Sequence, residues 1–309
     1  MPGLPVTAPI LTVEDLSVRY GVRVALSGVT LTVDPGQRVA VVGPNGSGKS
    51  TFLKAIVGLV EITGGRITVH DHAPGRDRCV AYVPQRAGLD WRFPVTVEDV
   101  VLMARAHRVG WLRRPGAADH AAVDAALSAV GIADLAHRRI RDLSGGQQQR
   151  MLIARALAQE ARLVLMDEPL NNLDTGSAET IVDVMDDLAA NGVAVLVALH
   201  DLALAEARFD TVLLVSGRMI AYGPPSEALS EKNLISAYGA GLQVVDGTDG
   251  RRVVSDPGCC DDGHAAHLAP AIAPRSAVGL PSVGWTAGGT AAQAQPDESR
   301  TRGHGHRSG

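Results

Sequence analysis

Apolar and polar residues alternate near the start of the chain, and further along the apolar residues form continuous runs. Residues 10 to 33 contain two alternating segments, ILTVEDLSVRY and VTLTV, which predict half-buried antiparallel strands. The unbroken run Val39–Val42 predicts a fully buried strand. Five later runs predict further strands: GRITVH, CVAYVPQ, RLVLMDEP, VAVLVALHD and TVLLVSG. The segment SAETIVDVMDDLAA, between RLVLMDEP and VAVLVALHD, predicts a helix.

Two changes of pattern divide the chain. From about residue 86 to residue 158, helical periods with charged faces replace the strand pattern, as in VEDVVLMARAHR and AAVDAALSAV. After about Gly239 the apolar periodicity is lost, and glycine, proline and alanine dominate. The predicted organisation is an α/β domain over residues 1–240, with a helical subdomain at about 86–158, followed by a tail over 241–309 without fixed structure.

A glycine-rich loop follows the Val39–Val42 strand. From Gly43 to Ser50 the spacing is G-x-x-x-x-G-K-S, and a helix is predicted over residues 51 to 57. Such a loop aims backbone N–H groups and the positive end of the helix at phosphate, while Lys49 reaches the β- and γ-phosphates and Ser50 offers a hydroxyl to Mg²⁺. The predicted nucleotide-binding residues of this loop are Gly43, Pro44, Asn45, Gly46, Ser47, Gly48, Lys49, Ser50 and Thr51.

Two carboxylates end the apolar run ARLVLMDEP. If that run is a strand of the same parallel sheet, Asp167 and Glu168 lie beside the phosphate loop at its carboxyl edge. Asp167 suits the orientation of Mg²⁺ and its water shell, and Glu168 is placed to polarise a water for attack on the γ-phosphate.

A second anion-binding helix start lies at LSGGQQQR. The Ser144 hydroxyl and the N–H groups of Gly145 and Gly146 are expected to point in one direction. One nucleotide does not need two phosphate sites from one chain, whereas two chains packed head to tail can each close the other's ATP. The predicted residues of this element are Leu143, Ser144, Gly145, Gly146 and Gln147.

Taken in order, these motifs resemble the ATP-binding subunit of an ABC transporter over about residues 10 to 240. The resemblance implies a RecA-like P-loop NTPase core with an antiparallel β subdomain and an inserted α-helical subdomain. It also implies ATP and Mg²⁺ as ligands and ATP hydrolysis as the activity. The glycine-rich loop matches the family's Walker A motif, Asp167 and Glu168 its Walker B end, and residues 143–147 its signature.

The resemblance implies roles for three further single residues and for one three-residue segment. Gln85 in YVPQR matches the Q-loop, which contacts Mg²⁺ and the attacking water, and His200 matches the switch histidine that touches the γ-phosphate. Asn172-Leu173-Asp174 matches the D-loop at the contact between two ATPase subunits, with Asp174 among the predicted binding residues. Tyr20 matches the aromatic residue that stacks on adenine.

Residues 86 to 115 resemble one class of importer, for manganese, zinc or iron(II). The matching positions are Asp90, Trp91, residues 93–97, residues 99–101, Gly110, Trp111 and residues 113–115. This region is where such subunits dock onto a membrane permease, and Trp and Arg are frequent anchors at protein interfaces. The alternative for Trp91 and Phe93 is that both rings are core of the helical insertion.

The partners implied are therefore a second copy of the chain, integral membrane permease subunits and, indirectly, a metal-binding solute-binding protein. The expected location is the cytoplasmic face of the membrane, held there by the permease. A formal net charge of −4 argues against a general nucleic-acid binder. Two alternatives stay open: an importer of siderophores, haem or cobalamin, and a non-transport ABC ATPase.

The tail carries residues that bind soft metals. Cys259, Cys260, His264 and His267 lie close together in the sequence, and His304 and His306 follow near the end. Thiolate and imidazole suit Zn²⁺ more than Mn²⁺, but adjacent cysteines lack the spacing of a closed zinc site. Incidental histidines in a solvated tail are the other interpretation.

Overall fold

Two sheets form the framework of the protein in a computed structural model, which describes residues 8–75, 79–85, 91–109, 114–171, 173–239, 243–246 and 252–255. The smaller sheet is antiparallel, and its strands in spatial order are β2 (Arg23–Val33), β1 (Leu11–Tyr20) and β4 (Gly64–Val69). The larger sheet runs in the order β5 (Val80–Val83), β6 (Leu163–Asp167), β7 (Ala194–Ala198), β3 (Arg38–Val42), β8 (Thr211–Val215) and β9 (Met219–Gly223). All of its strands are parallel except β9, which pairs antiparallel with β8.

Strand β3 lies between β7 and β8, and the side chains of its two faces pack into two separate hydrophobic cores. Val39 and Val41 pack into the core shared with the antiparallel sheet, whereas Ala40 and Val42 pack into the core beneath the helices. A strand that is buried on both faces reads as a continuous apolar run, which is why this sequence shows no alternation here.

Some helices cover the parallel sheet, and others form a separate helical layer from the part of the chain that connects β5 to β6. The helices that follow strands of the sheet are α1 (Lys49–Ile56), α6 (Thr175–Ala190), α7 (Leu202–Arg208), α8 (Pro225–Ala228) and α9 (Glu231–Tyr238). The layer between β5 and β6 contains α2 (Val97–Met103), α3 (Ala106–Val109), α4 (Ala117–Ala129) and α5 (Gly145–Ala158), with 3-10 turns at Ala133–Leu135 and Ile140–Asp142. Within the described residues, no helix is both long enough and apolar enough to cross a membrane.

The helical period over VEDVVLMARAHR corresponds to two helices rather than one. Arg105 lies between α2 and α3, and its side chain is 6% exposed. Its guanidinium pairs with Asp119 of α4 at 3.1 Å and with Glu160, beyond the end of α5, at 2.6 Å. A buried arginine must be paired, and the break in the helix lies at the residue that makes these two ion pairs.

Each strand predicted from the apolar runs is present, and the α/β class with both sheets is confirmed. Strand β9 was not predicted. In the segment assigned to a tail without structure, β10 (Gln243–Asp246) pairs antiparallel with β11 (Arg252–Ser255). That expectation is therefore corrected for these eight positions, where valine pairs Val244–Val254 and Val245–Val253 favour a strand. The tail cysteines and histidines lie outside the described residues, and the division into a domain over 1–240 and a tail stays a prediction.

Candidate functional site

A cleft of about 710 Å³ opens at the carboxyl end of β3, where ligands bind in open α/β sheets. Five segments distant in sequence meet there: the start of β2, the loop between β3 and α1, the end of β5, the loop after β6 and the loop after β7. Of the predicted site residues, the cleft is lined by Tyr20, Asn45, Gly46, Ser47, Gly48, Lys49, Ser50, Thr51, Gln85, Glu168 and His200.

The main chain of the glycine-rich loop is tightly enclosed. Gly43 has a φ of 150°, and a Cβ placed on it would lie 2.0 Å from the carbonyl oxygen of Val215. Gly48 has a φ of 107° and precedes α1 as its N-cap. A Cβ on Gly48 would lie 2.8 Å from the Ala25 carbonyl oxygen. Both positions therefore exclude any side chain, and the loop presents backbone to the cleft.

Two polar side chains of the loop are buried beside that backbone. Lys49 is 5% exposed, and its Nζ donates to the carbonyl oxygens of Gly43 at 2.8 Å and Pro44 at 3.2 Å. Burial lowers the pKa of Lys49, while the charges of Glu168 and Asp167 oppose that shift. Ser47 Oγ is buried without a hydrogen-bond partner among the described residues. An orphaned buried hydroxyl beside a buried ammonium group indicates a site for an anionic ligand.

Asp167 ends β6 and faces α1. The Ser50 hydroxyl donates to its Oδ1 at 2.9 Å, and the Tyr82 hydroxyl lies 3.4 Å from its Oδ2. Burial raises the pKa of Asp167, the Ser50 hydrogen bond opposes that shift, and the negative charge of Glu168 adds to it. Tyr82 was not predicted as part of the site, because a strand tyrosine is an ordinary core residue in sequence.

Glu168 follows Asp167 with a φ of 51°, in the left-handed region that non-glycine residues seldom adopt. Three side chains converge on its carboxylate: Gln85 Nε2 and Asn171 Nδ2 donate to Oε2, and His200 Nε2 lies against Oε1. The structure thus brings Gln85, Glu168 and His200 together as the motif order predicted. Asn171 was not predicted, since it belongs to none of the matched motifs.

The β1–β2 turn contributes to the lining of the cleft. Tyr20 is 51% exposed there and pairs across the turn with Arg23. Arg23 and Ala25 also line the cleft and were not predicted. Neither residue belongs to a matched motif, and their place in the cleft follows only from the pairing of β1 with β2.

The second helix start is well formed but lies away from the cleft. Ser144 caps α5: its Oγ accepts from Gln147 N at 3.3 Å, and Gln147 Oε1 accepts from Ser144 N at 3.0 Å. Ser144 and Gly145 are exposed, and none of residues 143–147 lines the cleft. This capping box leaves the tip of α5 open to solvent.

Asp174 occupies the equivalent position on α6. Its carboxylate accepts from Ser177 N at 2.9 Å and from Ser177 Oγ at 2.7 Å, and these bonds lower the pKa of Asp174. Leu173, just before it, lies beside Gly146 of α5, where an added Cβ would come within 3.4 Å of Leu173 Cδ2. Like residues 143–147, Asp174 does not line the cleft.

The structure describes only part of the predicted docking region, residues 86 to 115. Trp91 is partly buried against the helical core, as the alternative interpretation held for it, whereas Phe93 is 57% exposed. Asp90, Gly110, Trp111, Arg113 and Asn172 lie outside the described residues. Within the part of the chain that is described, no group of three or more His, Cys, Asp or Glu side chains is arranged to hold a metal ion.

Comparison with known proteins gives a consistent family. The model of the ABC transporter family matches residues 26–171. The manganese transport system ATP-binding protein MntB of Halalkalibacterium halodurans is 40% identical over 247 residues, covering 80% of this chain and 99% of that protein. The protein of the same description from Bacillus subtilis is 43% identical over 231 residues, covering 74% of this chain and 92% of that one.

A zinc relative and two solved structures extend the likeness. The zinc transport system ATP-binding protein TroB of Treponema pallidum is 42% identical over 240 residues, covering 77% of this chain and 90% of that protein. A chain of a transporter described as metal-chelate type, in an inward-facing conformation, aligns with a TM-score of 0.70 and 27% identity over 81% of this chain and 99% of its own length. An ATP-binding subunit of an ABC transporter aligns with a TM-score of 0.65 and 29% identity over 73% and 94% of the two chains.

Proposed function

This chain belongs to the ATP-binding subunits of ABC transporters, which bind and hydrolyse ATP, and we propose that it drives the uptake of zinc or manganese through a separate membrane permease. The observation that carries the metal assignment is identity of 40% or more, over most of the chain, to subunits named for manganese and zinc transport. The expected location is the cytoplasmic face of the membrane.

The nucleotide is proposed to occupy the cleft with its phosphates on the glycine-rich loop. Lys49 would turn its ammonium group from the carbonyls of Gly43 and Pro44 to the β- and γ-phosphates, and Ser47 Oγ would gain a partner. Tyr20 also lines the cleft, and its exposed ring would stack on adenine.

Mg²⁺ is the metal that this chemistry implies, and the residues fit it. The Ser50 hydroxyl donates to the Asp167 carboxylate at 2.9 Å, and Ser50 and Gln85 both line the cleft. Hydroxyl, carboxylate and amide oxygens are the ligands that Mg²⁺ prefers. Ser50, Asp167 and Gln85 would hold the ion, which supplies positive charge to the β- and γ-phosphate oxygens.

Glu168 is proposed as the base that takes a proton from the attacking water. Its carboxylate lies at the cleft wall within hydrogen-bond reach of Gln85 and His200. Those two side chains are proposed to turn to the water and to the γ-phosphate when nucleotide is bound. Catalysis would then depend mainly on positioning and on charge neutralisation by Lys49 and His200.

A second copy of the chain is proposed to complete each site. Residues 143–147 form the start of α5, where Ser144 and Gly145 are exposed, and none of the five lines the chain's own cleft. Two chains packed head to tail would place this element of one over the phosphates held by the other, with Asp174 at the contact. Closure of the pair would move the helical layer and the permease attached to it, in part through exposed Phe93.

Metal uptake by cells tests the proposed cargo. A strain lacking this chain is complemented with the wild-type protein or with Glu168→Gln, and accumulation of radioactive zinc and manganese is measured. We expect the wild type to restore uptake of at least one of these metals and Glu168→Gln to restore neither. Equal uptake of both metals with and without the chain would contradict the metal assignment.

A metal-chelate importer is the second candidate, favoured by the structural likeness to the metal-chelate type transporter. The same strains distinguish the two, because loss of ferric siderophore, haem or cobalamin uptake with normal zinc and manganese uptake would select this alternative. A solute-binding protein outside the membrane is an expected partner in both cases.

A further inference from the structure

We propose that Asn171 is a positioning residue, which holds the Glu168 carboxylate in the orientation needed to take the proton of the attacking water. The inference rests on the role proposed above for Glu168. It starts from one contact made by a residue that belongs to none of the matched motifs: Asn171 Nδ2 donates to Glu168 Oε2 at 2.7 Å.

Both backbone polar groups of Glu168, its N–H and its carbonyl, are hydrogen-bonded. Glu168 N donates to the carbonyl oxygen of Ala198 in the neighbouring strand at 3.1 Å, and Asn171 N lies 3.3 Å from the Glu168 carbonyl oxygen. Glu168 has a positive φ and lines the cleft, and its side chain is only 10% exposed. With the backbone fixed, the carboxylate orientation depends on the side chains that donate to it.

Those donors differ in what else they do. Gln85 and His200 both line the cleft, so bound nucleotide and water compete for them. Asn171 donates from three residues further along the same turn and does not line the cleft. It is therefore the donor that remains on Oε2 after Gln85 has turned to the metal and the water. Oε1, which His200 leaves, is then the oxygen free to accept the proton.

Substitution of Asn171 tests this without disturbing the core, because the residue is exposed. Asn171→Ala removes the donor, and Asn171→Asp keeps the shape but sets a second negative charge against Glu168. We expect kcat for ATP hydrolysis to fall about tenfold in Asn171→Ala and about a hundredfold in Asn171→Asp, with KM for ATP within about twofold of the wild type. Asn171→Ser, which keeps a short donor, should retain more activity than Asn171→Ala.

The order of the variants separates positioning from space filling. If Asn171 only fills space, the isosteric Asn171→Asp is milder than Asn171→Ala, and that result overturns the inference. Near-wild-type kcat in both variants overturns it as well. Should Asn171→Asp fail to fold, the order of Asn171→Ser and Asn171→Ala decides in the same way.

Glu168→Gln, measured in parallel, separates this inference from the role on which it rests. If Glu168→Gln is inactive and the Asn171 variants behave like the wild type, only the positioning role of Asn171 is lost. If Glu168→Gln hydrolyses ATP normally, the role proposed for Glu168 is itself wrong. ATP binding by Asn171→Ala in the Glu168→Gln background should match that of Glu168→Gln alone, because Asn171 is not proposed to touch nucleotide.

Discussion

Single residues at this site are fixed by packing as much as by chemistry. Gly43, at the start of the phosphate loop, has no room for a Cβ because the Val215 carbonyl of β8 approaches it directly. Lys49 and Asp167 are both buried. Burial lowers the pKa of Lys49 and raises the pKa of Asp167, and both shifts favour the neutral form of the side chain. The polar groups of the cleft are thus held at a cost that a charged ligand would offset.

Gly43→Ala tests the packing of the loop at residue scale. The added Cβ would lie 2.0 Å from Val215 O at a φ of 150°, so the loop or β8 must shift. We expect a loss of about 3 kcal/mol in the free energy of unfolding, measured by denaturant titration without nucleotide. Gly46→Ala is the matched control: its φ is 74°, but an added Cβ meets nothing within 4 Å. It should cost only about 1 kcal/mol of conformational strain. Equal losses would contradict the steric argument.

At the scale of elements, local caps set where the helices of the inserted layer begin. Helix α2 starts with a capping box in which Thr96 Oγ1 accepts from Asp99 N at 3.2 Å and Asp99 Oδ2 accepts from Thr96 N at 2.9 Å. The Thr96 hydroxyl also donates to Asp99 Oδ2 at 2.7 Å. The hydrogen bond from the Thr96 side chain, with the one from its backbone, lowers the pKa of Asp99. Helix α5 begins with the same device at Ser144 and Gln147.

Stability against pH tests the cap of α2. Because the Asp99 pKa is lowered in the folded chain, its carboxylate stabilises the fold above the ordinary Asp value, and this contribution is lost as pH falls through the folded pKa. Asp99→Asn should cost about 1 kcal/mol at pH 7, and the difference from wild type should shrink below about pH 4. Thermal unfolding at several pH values measures it. Asp124→Asn, exposed within α4, should change stability by less than about 0.5 kcal/mol at pH 7. A difference for Asp99→Asn that is the same at pH 3 and pH 7 would exclude a charged cap.

Sequence alone predicts those elements and residues whose signal is local. The buried run of β3, the spacing from Gly43 to Ser50 and the two carboxylates at the end of β6 each lie within a few residues of sequence, and residues 45–51 and Glu168 line one cleft. The contact of Tyr82 with Asp167 depends on which strands lie side by side, and the contact of Asn171 depends on the turn that follows Glu168; the matched motifs record neither. The break at Arg105 coincides with its ion pairs to Asp119 of α4 and to Glu160 beyond the end of α5, which hydrophobic periodicity does not predict.

At the scale of the whole molecule, the fold separates two predicted anion-binding elements that one nucleotide would use together. The glycine-rich loop faces the chain's own cleft, whereas the tip of α5 at Ser144 and Gly145 faces solvent elsewhere. The head-to-tail pair proposed above reconciles these positions, since each chain would supply the element that the other lacks. The central claim is therefore that ATP binds between two copies, with the glycine-rich loop of one and residues 143–147 of the other.

Nucleotide-dependent cross-linking tests this claim most directly. Cysteines are placed at Asn45, exposed in the glycine-rich loop, and at Gly145, where a Cβ meets nothing within 4 Å. The background is Glu168→Gln with the three native cysteines, Cys79, Cys259 and Cys260, replaced by alanine. A control chain carries Asn45→Cys with Arg66→Cys, an exposed position on β4. We predict a covalent dimer for the first pair with Mg-ATP, little without nucleotide and none for the control. If ATP is bound and the first pair gives no covalent dimer, or the same yield without nucleotide, the account is contradicted.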